Sequence, residues 1–468
     1  MTIHYGKNAL SDGICRPADS PALSLWPIDW HLMADFWIAL VLLLSLTATV
    51  NATPLPPQAQ VSSINLESHA ALLLDPTGQM SFEEVSSPAQ AARFARLNGP
   101  LSLGFTRTAA WVKLELTAAE SAPWLLEVGQ PILEDVRLYQ RTAAGALQVR
   151  QGTLMDSDVP RELQYRRPVF KVELKADEPA VLYLRLATRT SMVTNLKLWA
   201  PMALLEDSNL ETFIWGLVFG SYFLVVFFYS AFWIWTREKV HLYYVLYVST
   251  NLGAAFLTGR WNDMLGLHIH TNAHTLALGV FVCLSLWVAP VFTISYLGAQ
   301  RIWPKTSRVY LRMCASISMV CSVLVLMGHY SQGVMAVQIT SILVIVITTG
   351  ISGYLAYTGD KKGQLLLLAF SLFYMGVMWR YLRNIGIIEP SWWNESVYQI
   401  GAFIHMMVMS TGIFSSYNTL RQKSEKNRAR ADAQEKQRER QYEFLGMVSH
   451  EVRTPLTVIS ASADNLLI

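Results

Sequence analysis

The chain is short of charge. Of its 468 residues only 15% are Asp, Glu, Lys or Arg, against 52% hydrophobic. A soluble globular protein carries about 25% charged residues. The deficit is local and falls almost wholly between Leu210 and Tyr417. That excludes one uniform soluble domain and points to a membrane protein with polar domains attached. Cysteine is scarce too. Cys15 precedes the first apolar run, and Cys283, Cys314 and Cys321 lie in apolar segments. None falls between 53 and 205, so that polar stretch has neither a disulfide framework nor a CxxC metal site. The formal net charge of +3 is too small to argue for nucleic acid as a partner.

FWIALVLLLSLTATVNA (Phe36–Ala52) is a short apolar run ending in small residues. Val50 and Ala52 fit the two small-residue positions of a signal-peptidase site. Ahead of it, Lys7 and Arg16 are outnumbered by Asp12, Asp19, Asp29 and Asp35. Residues 1–52 therefore read as a cleaved signal peptide or an N-terminal anchor. Either delivers the polar stretch from Thr53 onward outside the cytoplasm.

Residues 53–206 read as strands. WVKLEL (Trp111–Leu116), VFKVEL (Val169–Leu174) and VLYLRLAT (Val181–Thr188) alternate apolar and polar side chains between turn-like stretches. Period-two alternation without helical repeats indicates a β-sandwich. No catalytic constellation is present. Trp111, Trp124, Tyr139, Tyr165 and Trp199 have the rings to stack on a sugar, but aromatics mostly fill cores, and the core or its rim is the expected place for them. Arg161, Arg166 and Arg167 have the charge for an anion, yet a solvated loop is the simpler expectation.

Seven apolar runs come next, at 210–235, 241–259, 272–297, 310–329, 333–357, 364–384 and 397–418. Each is near the ~20 residues that cross a bilayer. The loops after the first, third and fifth runs hold Arg237 and Lys239, then Arg301, Lys305 and Arg308, then Lys361 and Lys362. The alternate loops are poorer in Lys and Arg, with Arg380 and Arg383 the exception. The positive-inside bias places the β-domain outside and the C-terminus in the cytoplasm. The run centres hold almost no ionisable residues, which disfavours a pump or transporter, and the seventh run has no lysine for a retinal Schiff base. His405 and His329 are conceivable haem ligands, but hydrogen-bonded packing is the expectation for a lone intramembrane histidine. Residues 207–418 thus read as a structural or signal-relaying bundle.

Residues 419–441 contain no Pro or Gly and consist mostly of helix formers. They should continue the seventh span as a charged helix. In 442–468, Leu445, Val448, Val452, Pro455, Ile459, Ser462 and Leu466 are spaced alternately by three and four, a heptad seam. His450 falls off this seam, on the outer face. Glu451 is beside it and Thr454 one turn on. Pro455 lacks the N–H that would bond the Glu451 carbonyl, so a bend or loosening is expected there. A neutral imidazole next to a carboxylate is a usable nucleophile near pH 7.

FLGMVSHEVRTPLTVI (Phe444–Ile459) resembles the H-box of bacterial sensor histidine kinases, in the form F-L-x-x-x-S-H-E-x-R-T-P-L. The resemblance implies that His450 is the phosphoacceptor, that Glu451 assists phosphoryl transfer, and that Thr454 positions water for dephosphorylating a partner. It also implies ATP with Mg as cofactor, a homodimer formed through this helix, and a response-regulator receiver domain as partner. The outer β-domain with seven spans resembles the seven-transmembrane receptors with diverse intracellular signalling modules. There the outer domain is a jelly roll for a small-molecule or carbohydrate ligand, periplasmic in a bacterial inner-membrane protein. Gly446 is the only glycine after Gly412, so the glycine-rich boxes of an ATP-binding domain are missing. The chain is accordingly expected to stop within the first dimerisation helix and to be inactive alone. Two readings stand. One is a transmembrane sensor histidine kinase, simple or hybrid. The other is an incomplete receptor that modulates another kinase by helix pairing.

Overall fold

The computed structural model describes residues 62–468, apart from 142–144, 153–162, 164, 268, 390, 391 and 465–468. The signal peptide or anchor expected over 1–52 and Arg161 lie outside these residues. Strands β1 (Ser63–Asn65), β2 (Ala70–Asp75), β3 (Ala95–Arg96), β4 (Leu101–Phe105), β5 (Ala109–Leu116), β6 (Ala122–Val128), β7 (Asp135–Arg141), β8 (Leu147–Gln151), β9 (Val169–Leu174), β10 (Ala180–Ala187), β11 (Ser191–Thr194) and β12 (Leu196–Trp199) build the N-terminal domain. They form a six-stranded sheet ordered β3-β2-β5-β10-β7-β8, a four-stranded sheet ordered β1-β12-β6-β9 and a ribbon β11-β4.

Register explains the core. Leu182, Leu184 and Leu186 of β10 stand opposite Leu114, Val112 and Ala110 of β5. In the other sheet Leu126 of β6 faces Phe170 of β9. Alternation puts these residues on the inner faces, where they merge into one buried cluster. The result is the expected β-sandwich. Trp111 points the other way. It is buried with Leu73, Phe82 and Val85 beneath the one-turn helix Phe82–Val85. A capping box between Ser81 and Glu84 holds that helix, satisfying end N–H groups that a single turn otherwise leaves open. Tyr139 stacks on Phe82 with centroids 5.3 Å apart. Trp111, Trp124, Tyr165 and Trp199 are all buried, so these aromatics are packing rather than an open stacking platform.

Among the described residues, seven helices are long and apolar enough to cross a membrane: Pro201–Thr236, Lys239–Thr258, Thr271–Leu297, Pro304–Leu326, Tyr330–Tyr357, Lys361–Ile385 and a seventh within the helix Trp392–Asp464. We number them as spans one to seven. The first begins earlier than the apolar run at 210, because Pro201 directly after β12 suits the first helical position, where its missing N–H costs nothing. Residues 201–206, read as the tail of the sandwich, are therefore the first turns of span one. The seventh span does not end at the membrane. One unbroken helix carries the apolar run, the charged stretch and the histidine motif, and passes through Pro455.

Candidate functional site

Among the described residues, the sandwich meets the outer ends of the spans around three polar centres. The first centres on Glu211 of span one. Arg167 Nη1 donates to Glu127 Oε1 at 2.5 Å and Nη2 to Glu211 Oε1 at 2.6 Å. Arg166 Nε donates to Glu211 Oε2 at 3.2 Å, and its Nη2 also reaches that carboxylate. Tyr165 Oη donates to Glu211 Oε2 at 3.2 Å, and Trp199 Nε1 to Glu127 Oε2 at 2.6 Å. The Arg166 guanidinium also lies 5.2 Å from the centre of the Trp261 ring, between spans two and three.

Arg166 and Arg167 are not the solvated loop residues expected. Arg166 is only 5% exposed, because carboxylates from β6 and span one, remote in sequence, converge on the loop. Two guanidiniums facing two carboxylates with charge-assisted bonds make such burial tolerable. Burial and then Arg167 push the Arg166 pKa down, against the pull of Glu211. For Arg167, burial works against the charge, but Glu127 and Glu211 outweigh it and the pKa rises. Burial pushes the Tyr165 phenol up, so it stays a donor.

The second contact centres on buried Glu134, the last residue of the loop between β6 and β7. Arg189 binds it through Nη2 at 2.8 Å and Nε at 3.1 Å. Thr275 of span three donates to it at 2.9 Å. Arg189 also reaches Asn272 Oδ1 at 2.6 Å, and Ser331 of span five donates to the Arg189 carbonyl. The bond to Glu134 raises the Arg189 pKa. In the third contact, Ser191 Oγ of β11 donates to the Asn384 carbonyl of span six at 2.8 Å. Beside it Gly104 of β4, at φ +63°, packs so close that an added Cβ would sit 2.5 Å from the Ile385 carbonyl oxygen.

These contacts surround a cavity of about 200 Å³. Its charged lining consists of Arg166, Arg167, Glu211, Arg380 and Arg383. Sequence reading missed Glu211, Glu127, Glu134 and Arg189. Glu211 did leave a signal, since a carboxylate at the head of an apolar run is costly without a partner. The others are ordinary charges until the chain folds.

Inside the bundle His405 is buried, but its ring nitrogens have no hydrogen-bond partner among the described residues. It packs instead against the rings of Phe370 at 4.1 Å, Phe373 at 5.2 Å and Tyr247 at 5.5 Å. Packing holds as the reading; hydrogen bonding does not, because aromatic side chains crowd the ring. His329 is exposed in the turn before span five. Arg260, between spans two and three, is buried against Asp263 at 3.0 Å.

At the other end, the backbones of His450, Glu451 and Thr454 lie in the helix Trp392–Asp464; their side chains lie outside the described residues. The neighbouring seam positions are described. Leu445, Val448 and Val452 are 58%, 40% and 50% exposed, so this apolar face packs against nothing among the described residues.

A sandwich fastened to the outer ends of seven spans defines a transmembrane sensor receptor. More narrowly, residues 67–200 match the family model described as 7TMR-DISM extracellular 2, and residues 211–415 match the one described as 7TM diverse intracellular signalling. The chain thus carries both the extracellular and the seven-transmembrane domain of that receptor type. The histidine motif lies beyond both matched ranges. No curated protein matches the chain.

Proposed function

We propose that this receptor belongs to a sensor histidine kinase of a two-component system, with His450 as phosphoacceptor. The observation that carries the reading is the unbroken helix from the seventh span to the motif. A ligand-driven shift at the sandwich junction has a rigid route to the helix bearing His450. One ring nitrogen of His450 attacks the γ-phosphorus of ATP, ADP leaves, and Glu451 takes the proton from the other nitrogen. The phosphoryl group then passes to an aspartate of a response regulator, and Thr454 positions water when that aspartyl phosphate is hydrolysed. ATP with Mg is held by a catalytic domain, not by these residues. The exposed seam of Leu445, Val448 and Val452 supports homodimerisation through this helix. Clusters such as Lys361 and Lys362 support a bacterial inner-membrane protein with its C-terminus in the cytoplasm and its sandwich in the periplasm.

In native membranes supplied with γ-labelled ATP, a full-length form with its catalytic domain should acquire acid-labile label that His450→Gln abolishes. Label persisting in that variant would overturn the assignment. The same exposed seam favours a second reading, a receptor that pairs with and modulates a separate kinase. In that case label appears on the partner and none on this chain.

A further inference from the structure

The cavity under the sandwich has more cation than it can use internally. The charges of Arg166 and Arg167 are answered by Glu127 and Glu211. Arg380 on span six is not answered. Its guanidinium lies 4.8 Å from the centre of the Tyr398 ring, and it makes no ion pair among the described residues. Arg383, almost one turn further on, lines the same wall. From span five Gln338 lines the cavity at 4% exposure, with no hydrogen-bond partner for its Oε1 among the described residues. The buried acceptor is costly left unmet, and a guanidinium without a carboxylate partner lines the same cavity.

We propose that this cavity binds a small organic carboxylate. The planar fork of a guanidinium matches a carboxylate in two-point geometry. The volume of about 200 Å³ equals roughly seven waters at liquid density, enough for a four-carbon acid. Gln338 Oε1 suits a hydroxyl donor on the same molecule. Gln130 and Thr194 line the cavity from the sandwich while Arg380 and Gln338 line it from the spans, so the occupant touches both layers. Tyr398 and Gln399 of the helix Trp392–Asp464 also line the cavity, but binding there requires nothing of His450 and stands apart from phosphotransfer.

The test is thermal unfolding of the full chain in nanodiscs, titrated with acetate, succinate, malate and citrate, and with inorganic phosphate and glucose in parallel. Malate should raise the melting midpoint saturably. Arg380→Gln should weaken its apparent affinity by roughly tenfold or more, the value of one charge-assisted hydrogen bond. Gln338→Met, which keeps the cation and the volume, should weaken malate but not succinate. It also gives a reading if Arg380→Gln fails to fold. No shift with any carboxylate, an unchanged shift in both variants, or a shift with phosphate or glucose only would each overturn the proposal.

Discussion

The sandwich junction and the C-terminal helix use the same residue types to opposite ends. At the junction Glu127, Glu134 and Glu211 each meet a guanidinium from another element. Along 421–442 every described side chain is exposed. Its one described ion pair, Arg421 to Glu425 at 3.0 Å, joins groups 58% and 61% exposed. Such a pair contributes about 0.3–0.5 kcal/mol. Buried Glu127 instead fixes the position of Arg167 and, through it, of span one. Apolar residues show the same division. Those of the sandwich close on one another, while those around Val452 face outward. The junction carboxylates are answered within one chain; the apolar face of the C-terminal helix is left uncovered among the described residues.

The largest break in that comparison should come from Glu211→Gln. The amide keeps the volume but leaves Arg166 and Arg167 with one carboxylate between them. Breaking a buried pair costs about 3–5 kcal/mol, and some exposure of Glu211 places the effect at the low end. Amide exchange in β6 and β9 should then speed up by roughly a hundredfold. Exchange along 421–442 should not change. Equal acceleration in both regions would mean that the junction is not an independent unit.

A smaller break should come from Gly104→Ala. The residue sits at φ +63°, a conformation that costs a side chain about 1–2 kcal/mol, and its new Cβ would press on the Ile385 carbonyl. Gly145→Ala is the matched control. Gly145 has φ +82° but nothing within 4 Å of its added Cβ, so it carries the conformational strain alone. The variant at 104 should lose about 1 kcal/mol more than the control, seen as faster exchange in β4 and β11. Equal losses would show that the strand does not bear on span six.

The difference between the two regions was only half legible in the sequence, and the range of each interaction explains why. Alternation in VFKVEL reports a local rule, so the strands and their buried faces could be read directly. The seven spans announced themselves by run length, and the charged stretch after Tyr417 by its helix formers. Arg166 and Arg167 could not be read that way. Their partners lie 40 and more residues away on other elements, and nothing local distinguishes a loop arginine in water from one clamped to a span. Pro201 shows the same limit at an element boundary. Hydropathy locates the membrane core, not the polar turns of helix that precede it. The motif around His450 was legible for yet another reason, as a pattern of wording, and its chemistry rests on that resemblance.

The smallest stability effect is expected at Val452, and it sharpens the comparison most. Val452 is 50% exposed, so Val452→Asp should change the stability of the isolated chain by less than about 0.5 kcal/mol. Between copies the outcome should differ. A chain carrying Leu445→Cys should form a disulfide-linked dimer in membranes, because that position lies on the same seam. Adding Val452→Asp places two carboxylates against each other in the paired seam and should cut the cross-linked fraction severalfold. Unchanged cross-linking would mean that the apolar face is not a pairing surface for a second copy. A large loss of stability in the single chain would mean that the face is already occupied within it, and the contrast between the two regions would fall.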